Sequence, residues 1–255
     1  MPVEIVTVPC LSDNYAYLVR DHASGEVAVV DAPEAGPIID ALDARGWSAS
    51  QMWITHHHPD HVDGVPALVE RYGVKTVGHG ADKARLPELD LEVLEGDSVS
   101  LGDSAARIID VSGHTIGHIA FIMDADNVAF TADSLMALGC GRVFEGTHSM
   151  MWESLSKFLG LPDEMMVYSG HNYGVANGRF ALSIEPENAA LKERIAGIEA
   201  ANSAGTPIVP VSMAEERATN PFLRAVEPSV KAAVGLAGAD DTSTFAEVRR
   251  RKDSF

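Results

Sequence analysis

The sequence predicts a β-rich α/β domain up to about residue 173, followed by a small helical domain. Three observations carry this expectation. Short apolar runs rich in Val and Ile alternate with short helical patterns over the first two thirds of the chain. From about residue 174 they give way to long patterns rich in Ala, Glu and Arg. The 255 residues, 46 % hydrophobic and 22 % charged, have an ordinary globular composition and suffice for one large core or a core with an appendage.

Each element has its own signal. VEIVTVPCL, AYLVRD and EVAVVDA read as strands, with HASG as a turn between the second and third. PIIDALDARG reads as a helix stopped by Gly46, QMWITH as a strand, VPALVERYG as a helix stopped by Gly73, and KTVGH as a strand. ARIIDVSG, HIAFIMD, NVAFTAD and EMMVYSG are β-like, with the helical pattern WESLSKFLG before the last. In the tail, NAALKERIAGIEAANSAG puts Leu191, Ile195 and Ile198 on one helical face, with Gly205 as its stop. Capping boxes at Ser212 with Glu215 and at Thr244 with Glu247 mark two further helix starts.

Charge and cysteine usage narrow the function classes. A formal charge of −18 disfavours phosphate backbones and anionic lipid, because such binding neutralises those charges with Lys and Arg. No apolar run reaches the roughly 18 to 20 residues of a membrane span, and MPVEIVTVPCL lacks the basic region and long apolar core of a signal peptide. Cys10 and Cys140 make no CxxC pair and read as packing thiols of a reducing compartment. A cytoplasmic monomer acting on a small molecule, without nucleic acid or membrane, is the expectation.

The chemistry concentrates in WITHHHPDHVDGV, residues 53–65, which holds four of the chain's 10 histidines. QMWIT is a good strand, so His56 stands where the strand ends and a loop begins, the usual place for reactive groups in α/β proteins. Residues two apart in an extended segment face the same way, so His56 and His58 can grip one ion and Asp60 with His61, past the bend at Pro59, a second. Imidazole and carboxylate suit zinc, iron or manganese. A lone histidine is usually a hydrogen-bonded core or surface residue. Here the arrangement recurs: DVSGHT ends in His114, AFTAD in Asp133 and VYSGH in His171, each directly after a strand.

HHHPDH, with SGHTIGH, FTADSL and SGHNY, resembles the metallo-β-lactamase superfamily. Within it, DSLMALGCGRVFEGT, IEPEN, NPFLR and the ending RRRKDSF resemble glyoxalase II, over nearly the whole chain. The resemblance implies an αββα sandwich followed by a glutathione-binding helical domain, with the boundary between residues 173 and 174. It implies two divalent metal ions, zinc first, with iron or manganese as alternatives. His56, His58 and His114 would hold one, Asp60, His61 and His171 the other, and Asp133 would bridge them. It also implies hydrolysis of S-D-lactoylglutathione, the second step of methylglyoxal detoxification, with Asp60 and Asp133 serving a hydroxide shared by the metals. Two cations sharing a carboxylate leave room for such a water, whose pKa then falls toward neutrality. A thiol leaving group with a pKa of about 8.5 needs no strong general acid, and none is evident outside the ligand set.

EVRRRKDSF is the most basic run of an acidic chain. Arg250 and Arg251 suit a solvated helix end, whereas Arg249 and Lys252, three apart, share a helix face. A dianionic glutathione needs a local positive site, which supports the role that the resemblance gives Arg249 and Lys252 at its glycine carboxylate. The resemblance further implies Arg142 and Tyr173 as glutathione contacts. Phe144 stands where some relatives have Tyr, and Asp63 where many have Gly; Asp63 reads as a solvated loop residue. His57 and His118 read as supporting or packing residues, His22, His79 and His148 as surface loop residues, and Trp53, Trp152, Met165 and Met166 as core. The rival readings are a persulfide dioxygenase with a single iron and a non-catalytic metal-binding module. The first would need neither a second metal set nor the basic tail. The second would need no anion site.

Overall fold

The computed structural model describes residues 3–255; Met1 and Pro2, at the head of the expected first domain, lie outside the described residues. The chain forms two compact units. The first contains the chain up to Asp110 together with Ile116–Ala132. Its strands β1 (Val3–Cys10), β2 (Asn14–Asp21), β3 (Val27–Val30), β4 (Gln51–Trp53), β5 (Lys75–His79) and β6 (Leu91–Val93) lie side by side in that order. The pairs β1–β2 and β2–β3 are antiparallel, and the pairs from β3 onward are parallel. The switch follows from the connections: short turns join β1 to β3, whereas parallel neighbours need crossovers. Helix α1 (Ala35–Asp43) crosses from β3 to β4; the one-turn α2 (Pro59–Val62) and then α3 (Val65–Tyr72) cross from β4 to β5.

Apolar spacing fixes how these helices pack. Ile38 and Leu42 of α1 and Leu68 of α3 join Leu18, Val29, Met52 and Ile54 in one buried cluster. Gly73 ends α3 at φ 64, as predicted, a left-handed conformation that costs glycine little. The second layer of this unit is the antiparallel series β7 (Ser98–Leu101), β8 (Ser104–Asp110), β9 (Ile119–Met123) and β10 (Val128–Ala132). Trp53 of the first layer stacks on Phe121 of the second at 5.1 Å, and Tyr17 meets Phe130 at 5.5 Å. The strands β6 and β7 escape the sequence reading because three or four residues with exposed positions carry too little apolar pattern.

The second unit contains Val111–Thr115 and Asp133–Phe255. It opens on the hairpin β11 (Leu135–Met136) with β12 (Gly139–Cys140), then α4 (His148–Phe158) and β13 (Met166–Ser169). Helices α5 (Gly174–Ile184) and α6 (Ala189–Ser203) follow, then β14 (Val211–Ser212), which pairs with β13, and helices α7 (Met213–Thr219), α8 (Pro228–Ala233) and α9 (Asp241–Asp253). The apolar face expected of α6 is real: Leu191 and Ile198 are buried with Ala181 and Leu138, and Ile195 packs at their edge.

The capping box at Ser212 and Glu215 is present in both directions. The one expected at Thr244 is not. Helix α9 begins at Asp241, and the Asp240 carboxylate caps it by accepting Ser243 N–H at 2.8 Å. An aspartate three residues ahead of Ser243 does the capping earlier in the chain, and Thr244 Oγ1 instead donates to the Asp240 carbonyl at 2.9 Å within the helix. Three smaller expectations also change. His79 is a buried residue closing β5, His148 is the half-buried first residue of α4, and Met166 is half-buried at the start of β13.

Phe121→Ala removes the aromatic partner of Trp53 from between the layers and should cost about 3–5 kcal/mol, read as a lower urea midpoint. Asp21, fed by Ser24 N–H at 2.7 Å and by the Ser24 and Ser104 hydroxyls, is held down to about 2. A carboxylate depressed on folding stabilises fully above its ordinary value of about 3.9 and loses that contribution as pH falls through its folded value. The stability difference between wild type and Asp21→Asn should therefore shrink as pH is lowered from about 4 toward 2 in a series of denaturant titrations.

Candidate metal centre

The predicted ligands fall into two groups, one in each unit. In the first unit the group is built around a residue that the sequence reading passed over. Asp31 follows β3 directly, at φ 53, a left-handed conformation that Asp tolerates better than most residues. Its Oδ1 accepts Thr55 N–H at 2.9 Å, and its Oδ2 accepts the Thr55 hydroxyl at 2.7 Å and His61 Nδ1–H at 2.8 Å. His56 Nδ1 lies 3.0 Å from Thr55 Oγ1, so its proton enters the same chain of hydrogen bonds. Both rings are fully buried, and in both the protonated nitrogen has an acceptor, which leaves Nε2 with its lone pair. His56 Nε2 stands 3.1 Å from His58 Nδ1. Sequence spacing puts His56 and His58 in an extended segment and Asp60 with His61 past a bend at Pro59. Asp60 and His61 in fact sit on α2, with His58 as its N-cap and Pro59 in its first turn.

Neighbouring groups fix the remaining members. Asn14 Nδ2 donates to the Asp60 carbonyl at 2.9 Å and to Asp60 Oδ2 at 3.1 Å, which orients that carboxylate. His118 lies flat on His56, with ring centroids 4.6 Å apart, and points Nδ1 at the Ile119 carbonyl, so its expected supporting role holds. His57 turns to Asp82 at 3.3 Å and Arg85 at 3.4 Å. Asp63 is exposed at the end of α2, as a solvated loop residue would be.

The second unit carries His114, Asp133 and His171. Asp133 follows Ala132, a non-glycine residue at φ 40, so this carboxylate too is delivered from a strained strand end. His114 Nε2 lies 3.4 Å and His171 Nε2 3.3 Å from the same Asp133 Oδ2. His114 donates Nδ1–H to the Arg142 carbonyl at 2.8 Å, which again leaves Nε2 as the basic nitrogen. Gly141 permits the approach: a Cβ there would come within 2.4 Å of the Asp133 carbonyl and 2.7 Å of His114 Nδ1.

These separations suit a metal. Two ligand atoms about 2.0–2.2 Å from one zinc at a tetrahedral angle lie about 3.3–3.6 Å apart. The contacts of Asp133 Oδ2 match that spacing and are long for hydrogen bonds. In each unit, buried imidazoles with assigned tautomers stand beside an oriented carboxylate, a donor type without thiolate that suits zinc, iron or manganese. Cys140, raised to about 11 by burial despite Arg249 beside it, stays a thiol. Cys10, raised to about 12 by burial, does the same.

The predicted substrate contacts all lie in the second unit. Tyr173, 40 % exposed, stacks on His171 with centroids 4.6 Å apart, and Phe144, 62 % exposed, meets His114 edge-on at 5.3 Å. Arg142 is exposed and gives its carbonyl to His114. Arg249, by contrast, is buried: it donates to the Cys140 carbonyl at 3.1 Å, pairs with Asp253 at 2.8 Å and lies over Phe222. Lys252 Nζ donates to the Ala176 carbonyl at 3.1 Å, and its pKa is lowered, first by burial and then by Arg249 and Arg142. Arg250 and Arg251 pair with Glu247, in keeping with a solvated helix end.

Fold and donor set define a metallo-β-lactamase-type metal protein, and residues 12–171 match the metallo-beta-lactamase superfamily. Residues 172–255 match the hydroxyacylglutathione hydrolase C-terminus. The hydroxyacylglutathione hydrolase of Ruegeria pomeroyi is 58 % identical over 255 residues, all of both chains. Among solved structures, ETHE1 from Myxococcus xanthus is similar in fold at 24 % identity and a TM-score of 0.67, covering 98 % of this chain and 90 % of its own. TTHA1623 in a di-iron-bound form shares 25 % identity with a TM-score of 0.58, over 66 % of this chain and 92 % of its own. The chain belongs to the hydroxyacylglutathione hydrolase family.

Asp31→Asn leaves the fold's apolar layers intact but replaces one of two accepting oxygens by an NH2, which faces a donor in either orientation, Thr55 N–H in one and the Thr55 hydroxyl with His61 in the other. It should weaken metal binding by about 10- to 100-fold, measured by competition with a chromophoric chelator.

Proposed function

We propose that the chain hydrolyses S-D-lactoylglutathione, and S-2-hydroxyacylglutathiones generally, to the 2-hydroxy acid and glutathione, as the second step of methylglyoxal detoxification. The observation that carries this reading is a crowd of cations on a chain of net charge −18. The pKa of the half-buried Lys252 is lowered first by burial and then by Arg249 and Arg142, in the unit that also holds His114, Asp133 and His171. Three like charges beside the one carboxylate of Asp253 favour an arriving carboxylate, and glutathione brings two. Metal chemistry is assigned mainly to residues 1–173 and glutathione recognition mainly to 174–255.

In this reading His56, His58 and His114 hold one divalent ion, Asp60, His61 and His171 a second, and Asp133 serves both; zinc is the first choice, with iron or manganese as alternatives. The di-iron form of TTHA1623 supports a pair of ions. When bound, such ions polarise a carbonyl and bring water toward ionisation at neutral pH. The chain's own residues do the rest. Asp60, oriented by Asn14, and Asp133, set by its backbone bond with Gly141 at 2.8 Å, aim the attacking water. Lys252 and Arg142 receive the carboxylates of glutathione, and Arg249 supports them from beneath. The Tyr173 ring and hydroxyl and the Phe144 ring form an exposed aromatic wall beside the histidines. Phe144 offers no hydroxyl there. The glutathione thiolate, with a pKa of about 8.5, departs without a dedicated acid.

Purified protein should hold two metals and turn over S-D-lactoylglutathione, and Lys252→Ala should raise KM about 10-fold with kcat nearly retained. One iron per chain with oxygen consumption on a persulfide substrate would sink the reading. Because the folded pKa of Lys252 lies below its ordinary value, its charge is lost before pH 10.5 is reached. Binding of an S-alkylglutathione should therefore weaken with rising pH in wild type more steeply than in Lys252→Arg, measured by calorimetry.

A further inference from the structure

The hairpin of β11 and β12 links Asp133, two residues before it, to Gly141 and Arg142, directly after it. It is poorly suited to hold itself. Its two strands have two residues each, and its turn is Ala137–Leu138, without the Asn or Gly that a tight hairpin favours. Leu138 sits at φ 58, where a side chain is strained. The helices of the same unit supply what the turn lacks. Asn220 Nδ2 donates to the Met136 carbonyl at 3.2 Å and the Gly139 carbonyl at 2.9 Å. Asn177 of α5 donates to the Ala137 carbonyl at 3.0 Å, and Arg249 of α9 to the Cys140 carbonyl at 3.1 Å. Glu216 of α7 accepts Leu138 N–H at 3.3 Å and Asn220 Nδ2 at 2.9 Å, and is neutralised by Arg194.

Asn220 is fully committed to this task. Its Oδ1 accepts Phe222 N–H at 3.0 Å, which fixes the side chain at the end of α7, just before Pro221. A carboxylate at this place could not donate, and a shorter side chain would not reach both carbonyls. The sequence singles out NPFLR without giving it a task, and the proposed glutathione contacts leave Asn220 unused.

We propose that Asn220, with Glu216 and Asn177, is a positioning residue for the metal centre. Through the 135–140 hairpin it sets Asp133 and the Arg142 carbonyl that orients His114. Arg249 grips the same hairpin at Cys140, so a carboxylate drawn to Arg249 and Lys252 bears on the segment that aims two metal ligands. The inference rests on the proposed metal-binding role of His114 and Asp133.

The test compares wild type, Asn220→Ala and Arg224→Ala. Arg224 forms a half-buried ion pair with Glu185 in the same unit and touches no part of the hairpin, so it controls for general destabilisation. Zinc affinity by chelator competition should fall about 10-fold in Asn220→Ala and stay at the wild-type value in Arg224→Ala, with both melting temperatures lowered. The absorption spectrum of the cobalt-loaded protein should change in Asn220→Ala alone. Wild-type affinity and spectrum in Asn220→Ala would overturn the proposal. If that variant does not fold, amide exchange of wild type decides: the amides of residues 135–142 should exchange faster after chelation, and indifference to metal there overturns the proposal. A wild type that binds no metal would instead defeat the functional reading beneath it.

Discussion

A buried imidazole can give a metal its lone pair only if the proton on its other nitrogen has somewhere to go, and much of this structure answers that requirement. The proton of His61 goes to Asp31 and that of His114 to the Arg142 carbonyl, while the proton of His56 goes to Thr55 and through it to Asp31. One carboxylate therefore serves two of the four histidines clustered after β4. Three donors already occupy its oxygens, two of them on Oδ2, so Asp31 acts on the neighbouring rings, and His56, His61 and Asp31 lie close enough to surround an ion.

Orientation of this kind needs a rigid support. Asp31 at φ 53 and Ala132 at φ 40 hold strained backbone at the ends of strands whose interiors are buried without exception. Such strain persists only where the surroundings fix it. In the first unit that fixing comes from the stacked Trp53 and Phe121 and from backbone bonds at the site itself, Ala32 N–H to the His61 carbonyl at 2.8 Å and Ile119 N–H to the Thr55 carbonyl at 3.0 Å. In the second unit, glycine at 141 and side chains of the helical tail hold the segment that follows Asp133. Within the first unit the apolar layers and the polar groups around Asp31 are thus parts of one mechanical arrangement, in which the first makes the second precise.

The helical tail holds its cations in two different ways. Arg249 is a cation suited to an anionic substrate, yet its guanidinium is buried against Cys140 and Asp253. Burial gives it a fixed place and denies it free solvent, so its charge acts on Lys252 and Arg142 as much as on any ligand. Lys252, half-buried among cations and aromatic rings, is the more adaptable member, with an ammonium that can leave the Ala176 carbonyl for a carboxylate.

The sequence by itself determined the order of the larger elements, the alternation that makes a sandwich layer, the helical tail and which candidate ligands stand directly after strands. All of these rest on local signals: apolar periodicity, Gly73 and Gly205 as stops, and polar residues placed directly after strands. It named Asp133 by its position at the end of NVAFTAD, and the same rule applied to EVAVVDA would have found Asp31. What it could not supply were relations between distant residues. Asn14 beside Asp60, Asp31 beside His61 and Asn220 beside Gly139 are 46, 30 and 81 positions apart, and no periodicity encodes such pairs. It also misplaced the start of α9, since Asp240 and Thr244 carry equivalent capping signals and only packing chose between them. Candidate ligands are legible in the chain because candidacy depends on residue type, whereas tautomer and aim depend on neighbours, which the tertiary structure alone provides.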